Sequence, residues 1–193
     1  MIGLQIYYKG GPGSGNFGHV GRPGMIGGSG EGGGSAAAPR KRDIYANGKI
    51  VYKNSGSTFV DKTVQHILSN LSKEAITQLV HRNKPIIIHA KHGIKRTRTV
   101  INGYFGKYSF NALTFGMHSF KNNSVVIYPD SIKESGMFKG NAKGGIATVL
   151  LHELGHVATR HDTKQTPFDE AVANDWGRRY GRRYGFKPGI LEG

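Results

Sequence analysis

His152 and His156 stand four positions apart in the run Leu151-His152-Glu153-Leu154-Gly155-His156. Because 3.6 residues complete a helical turn, two such side chains leave one face of a helix about 6 Å apart, and a single divalent cation can bond both imidazoles. Glu153 then stands beside the cation rather than on it, where a carboxylate can take a proton from water held there. The chemistry is metal-assisted hydrolysis. Ile146, Ala147, Val149, Leu150, Leu151, Leu154, Val157 and Ala158 surround these residues and predict a buried helix. Imidazoles in so apolar a setting need partners, and a metal satisfies both.

A catalytic zinc takes three protein ligands and keeps one open position. Glu170 competes for the third place with Asp162 and His161. Thr166-Pro167-Phe168-Asp169 reads as a helix start, with Thr166 as N-cap, Pro167 at the first helical position and Asp169 three residues after the cap. Glu170 would then sit in the first turn of a second helix folded back against the first. Asp162 occupies the third-ligand register of the longer metzincin pattern, but Thr159 stands where that pattern has its turning glycine.

His152-Glu153-Leu154-Gly155-His156, then Glu170, Ala173-Asn174 and Trp176-Gly177, resemble the ImmA/IrrE-type gluzincin pattern, HELGH followed by E-x-x-A-N-x-aromatic-small. The resemblance spans roughly residues 146–177. It implies an α+β, zincin-like domain and a zinc-dependent protease acting on protein or peptide substrates. Onto the matching positions it carries His152, His156 and Glu170 as Zn2+ ligands and Glu153 as general base. In such peptidases an edge strand near the site commonly binds substrate backbone, and residues 124–128 are read either as that strand or as a plain interior strand. A second donor should steady the oxyanion. Tyr104, Tyr108 and His118 are the candidates. Tyr180 and Tyr184 lie roughly 15 to 21 Å beyond Glu170 along a continuous helix and are out of reach.

The elements that must position these groups begin near residue 43. Asn47-Gly48 between two short β-rich runs predicts a hairpin turn. Val64, Ile67, Leu68, Leu71, Ala75, Ile76, Leu79 and Val80 recur at helical spacing, with a restart capped by Ser72. Pro85 precedes a buried strand at 86–88. Residues 97–129 read as mostly antiparallel strands punctuated by glycine and asparagine, and 130–143 as a loop on the rim of the cleft. His89 and His92 lack an acidic or histidine partner at ligand spacing and read as surface histidines. The expected architecture is a zincin-like domain over residues 43–193, with a small mostly antiparallel sheet, preceded by an arm over 1–42.

Nearly half of the 30 glycines fall in the first 34 positions of that arm, so ordering it costs much backbone entropy with little side chain to offset it. Gly13-Ser14-Gly15-Asn16-Phe17-Gly18 fits a dinucleotide fingerprint, but the helix that must follow the third glycine is replaced by His19-Val20-Gly21-Arg22-Pro23. The surrounding phrase, GGPGSGNFGHVGRPGMIGGSG, resembles a glycine-rich segment of phage head-morphogenesis proteins. It implies a phage or prophage setting, in host cytoplasm or virion, and phage head proteins as partners.

With no cysteine, disulfides, thiolate metal sites and a cysteine nucleophile are excluded. No run approaches the roughly 20 apolar residues that span a bilayer, so no membrane partner is expected. The net charge of +15 attracts polyanions. Arg178, Arg179, Arg182, Arg183 and Lys187 gather much of it near the end, a basic helix suited to nonspecific nucleic-acid contact. The competing reading is therefore a basic virion or DNA-associated structural protein with a vestigial metal site.

Overall fold

The structure, a computed structural model, describes residues 2–5, 43–46, 49–79, 85–103, 106–159 and 167–186. Its strands are β1 (Ile2–Gln5), β2 (Asp43–Ala46), β3 (Ile50–Lys53), β4 (Ile86–Ala90), β5 (Arg96–Gly103), β6 (Gly106–Ser119) and β7 (Ser124–Ile127). The helices are α1 (Thr58–Ser69), α2 (Lys73–Leu79), α3 (Pro129–Glu134), α4 (Ala142–Thr159) and α5 (Pro167–Gly181), followed by a 3-10 turn at Arg182–Tyr184. Within the segment read as an arm, Ile2–Gln5 is a strand. The fingerprint-like 13–18, the Asn47-Gly48 turn, Tyr104, His161, Asp162, Thr166 and Lys187 lie outside the described residues.

The sheet runs β1-β6-β7-β4-β3-β2, with β5 also paired to β6. It is mixed, and antiparallel ladders predominate among the described residues: β3 pairs parallel with β4 and β4 parallel with β7, while β2–β3, β6–β7, β5–β6 and β1–β6 are antiparallel. A parallel neighbour requires a long crossover, and α1 and α2 supply it between β3 and β4. The excursion through the β5–β6 hairpin returns the chain so that β7 lies between β4 and β6. Residues 124–127 are thus an interior strand, the second of the two readings the sequence allows, and not a sheet edge. Over 97–119 asparagine does not punctuate the strands at every occurrence: Asn111 pairs with Arg98 inside the β5–β6 ladder instead of breaking it.

Alternation along β3, β4 and β7 sends Ile50, Tyr52, Ile86, Ile88, Val125 and Ile127 into the core against Val64, Ile67 and Leu68 of α1, Ala75 and Leu79 of α2, and Val149, Leu150 and Leu154 of α4. Ser57 caps α1 through the Val60 N–H, and Ser72 caps the restart through the Ala75 N–H at 3.1 Å. Buried Asp61 accepts from Tyr52 Oη at 2.6 Å and from Ser55 Oγ at 2.7 Å, tying α1 to β3. Where a loop was expected over 130–143, α3 begins at Pro129. Its inner face is only Ser131 and Ile132, both buried, too short a stripe to register as periodicity.

Candidate metal centre

α4 is buried along nearly its whole length, from Gly144 to Val157. Its start is capped by Asn141, whose side-chain oxygen accepts from the Gly144 N–H at 3.0 Å. Such a helix packs on every side, and its buried polar positions are Thr148, His152, Glu153 and His156. Thr148 is satisfied by its own helix, bonding the Gly144 carbonyl at 2.8 Å. The other three face α5 and β6.

α5 lies against α4 at close range because the contact residues are small. A Cβ added at Gly155 would stand 2.5 Å from the Ala173 carbonyl oxygen and 2.9 Å from its Cα. That approach delivers the first turn of α5 to the histidines. Glu170 Oε2 lies 3.1 Å from His152 Nε2, Glu170 Oε1 lies 3.4 Å from His156 Nε2, and the two Nε2 atoms are 3.0 Å apart. His152, His156 and Glu170 are the group that can hold a metal among the described residues, each offering one ligand atom within 4.8 Å of the others. The rivals for the third place, Asp162 and His161, lie outside the described residues.

The donor chemistry fits a divalent cation. His152 Nδ1 sits 2.8 Å from Asn174 Oδ1, an acceptor, so the proton belongs on Nδ1 and the Nε2 lone pair points at the centre. Burial is the largest influence on both histidines and disfavours their charged forms. For His152 the hydrogen bond with Glu170, the charges of Glu153 and Glu170, and the bond to Asn174 outweigh it and hold the imidazole above its ordinary value. For His156 burial wins and the ring is pulled down, toward the neutral form a metal needs. Burial would raise the Glu170 carboxyl, but both histidines together hold it far below the usual carboxylate range. Glu170 stays ionised, and at 26% exposure it marks where the centre opens.

Glu153 is fully buried, and neither carboxylate oxygen has a hydrogen-bond partner among the described residues. A buried carboxylate in that state is costly unless a cation or a reacting group compensates it. β6 closes over it. His118 Nδ1 lies 3.4 Å from Glu153 Oε2, and its ring stacks on His156 with centroids 4.8 Å apart. Gly116, two residues before, leaves the remaining room: a Cβ there would stand 2.6 Å from Glu153 Oε1 and 2.8 Å from Val149 Cγ1.

Of the candidate second donors, the structure brings His118 to the centre. Tyr104 and the side chain of Tyr108 lie outside what is described. Tyr180 packs on Trp176 and faces Gln78, away from the His152, His156 and Glu170 group, as its distance along α5 requires. His92 is half exposed and pairs with Asp130 at 3.5 Å, in keeping with a surface histidine. The sequence reading missed a role for Asn174, although its spacing of four from Glu170 puts both on one face of α5. Gly116 carried no local signal, since its need for room arises only where β6 crosses α4.

No curated protein and no solved structure matches the chain. Residues 71–174 match the family model described as Peptidase family M48, a span that takes in all of α4 and the first half of α5, with His152, His156 and Glu170. As that span exceeds half of the chain, the protein belongs to peptidase family M48 and is a metallopeptidase.

Proposed function

We propose that the chain is a zinc-dependent endopeptidase of the gluzincin type, with His152, His156 and Glu170 as ligands and Glu153 as general base. The carrying observation is the convergence of three ligand atoms from α4 and α5 beside a buried carboxylate that has no other hydrogen-bond partner among the described residues. Zinc, when bound, polarises the scissile carbonyl and lowers the pKa of water at the site. Glu153 accepts the proton as water attacks and passes it to the departing amide nitrogen. His118 packs against the Glu153 carboxylate and limits its movement. Asn174 keeps His152 in the tautomer that presents Nε2.

The ImmA/IrrE-like pattern at 170–177 supports the narrower assignment within metallopeptidases. The glycine-rich phrase supports a phage-associated setting, in host cytoplasm or virion, with phage head proteins as partners. Exposed Arg178, Arg179, Arg182 and Arg183 at the end of α5 support nonspecific contact with nucleic acid. No helix among the described residues is long and apolar enough to cross a membrane.

The test is cleavage of a fluorescently labelled denatured protein by the zinc-loaded chain, beside Glu153→Gln. The variant should hold zinc at the same stoichiometry and lose activity by about 10²- to 10⁴-fold, the usual contribution of a positioned acid–base group. A zinc-loaded chain that leaves the substrate intact, or a Glu153→Gln protein that cuts as fast, would refute the assignment.

A further inference from the structure

β1 pairs antiparallel with β6 over Thr114–His118, placing Ile2 opposite His118, Gly3 opposite Met117, Leu4 opposite Gly116 and Gln5 opposite Thr114. This is the stretch of β6 that covers the general base, through Gly116 against Glu153 Oε1 and His118 against Glu153 Oε2. On its other side the same stretch is held by β7, with Gly116 opposite Ile127 and His118 opposite Val125. The ladder edge beside the centre is therefore the one that β1 fills. The Thr114 N–H is taken by the Lys95 carbonyl at 2.9 Å, and the Phe115 carbonyl accepts from the Tyr128 N–H on the opposite side. Without β1, β6 would therefore leave the backbone groups of Gly116 and His118 open next to the metal ligands, a template for an extended backbone.

β1 is poorly built to be permanent. It is four residues long, lies at the edge of the sheet, and its register shifts between Leu4 and Gln5. A short edge strand with a broken ladder opens at low cost. We propose that β1 is a displaceable stand-in for substrate: an extended peptide adds to the edge of β6 at 114–118 in the antiparallel sense, and β1 competes with it from within the same chain. This deepens the peptidase assignment above and rests on it.

The test uses the full-length, zinc-loaded chain and a fluorescent octapeptide with the sequence of residues 1–8. Gly3→Pro and Leu4→Pro are made separately. Successive N–H groups along a strand point to opposite sides, so one proline deletes a bond to β6 while the other faces outward and is tolerated. The expected result is that one of the two variants binds the octapeptide about tenfold more tightly than the unaltered chain, the effect of one or two lost ladder bonds. That variant should cleave an extended peptide with a correspondingly higher kcat/KM. In the unaltered chain, amide hydrogen exchange should be slow at Gly116 and His118, the amides of this stretch that face β1, a reading that needs no variant.

Equal octapeptide binding by both variants and the unaltered chain, or rapid exchange at both Gly116 and His118 in the unaltered chain, would overturn the proposal. Tighter binding with no cleavage by any of the three proteins would sink the peptidase reading and leave the strand competition standing. Cleavage at equal rates, with equal binding, would do the reverse.

Discussion

A metal ligand is only as good as the group behind it. His152 has its Nδ1 proton claimed by Asn174 Oδ1 at 2.8 Å, which fixes the ring's tautomer and its direction together. Asn174→Leu keeps the size and removes the acceptor, stranding a buried N–H and freeing the ring to present the wrong nitrogen. Zinc affinity should fall by about 10- to 100-fold, read by competition with a chromophoric chelator. Asn174→Asp, which restores an acceptor, should recover most of it; equal affinity in Asn174→Leu would show that the bond orients nothing. At this scale the pair His152 and His156 was legible because helical spacing converts sequence separation directly into a shared face, with Glu153 beside it, whereas Glu170, on a second helix, was legible from the helix start at Pro167 and from the resemblance. His118 was legible only as one of three candidates. Its approach to Glu153 depends on which part of β6 crosses α4, and no local pattern encodes that crossing.

Between elements, the decisive contact is Gly155, a side-chain-free position where α4 meets the backbone of α5. Gly155→Ala would drive a methyl group to 2.5 Å from a backbone oxygen, and backbone cannot swing aside as a side chain can. The helices must separate, at a cost of about 1–3 kcal/mol of stability. Glu170 would move away from the histidines with α5, so zinc affinity should fall in step with the midpoint in urea. Full zinc affinity in a destabilised Gly155→Ala protein would break the link between helix spacing and ligand geometry. A second joint gives a pH signature. Burial, then the bond to Asp61, push the Tyr52 phenol well above its ordinary value. The folded state therefore keeps a proton that the unfolded chain releases above about pH 10, and stability falls as pH rises past that point, by about 1.4 kcal/mol per pH unit from this group. Tyr52→Phe should flatten that alkaline slope in urea unfolding between pH 9 and 11.5; an unchanged slope would assign it elsewhere. Helices α1, α2, α4 and α5 were readable from apolar spacing and caps. The sheet order was not, because a strand's partners are set by the crossovers: the parallel β3–β4 and β4–β7 ladders follow from α1, α2 and the β5–β6 hairpin rather than from any residue within β4 or β7.

Across the whole molecule, the centre joins α4, packed into the core, to α5, which is tied to it through Glu170 as well as through Gly155. A metal that binds the folded chain alone stabilises it by mass action, by about 2.7 kcal/mol when free zinc stands at 100 times Kd. Chelation should then lower Tm by about 5–10 °C for a chain of this size. The gap should also depend on pH, and its sign can be worked out. Without metal, Glu170 is held below its ordinary range and His152 above its own, the mark of an ionised carboxylate facing a protonated imidazole. The Glu170 contribution is present above the unfolded carboxylate pKa and is lost as pH falls through the depressed folded value. The His152 contribution is present below the unfolded imidazole pKa and is lost as pH rises through the raised folded value. From pH 6 toward 8.5 the metal-free chain thus loses its internal ion pair. Over the same range the metal-loaded chain gains, because its histidines no longer have to shed protons to bind. The difference in Tm with and without chelator should widen steadily from pH 6 to 8.5, and Glu170→Gln should remove most of that widening. A gap that stays constant, or narrows, would mean that the three side chains do not act as one metal site.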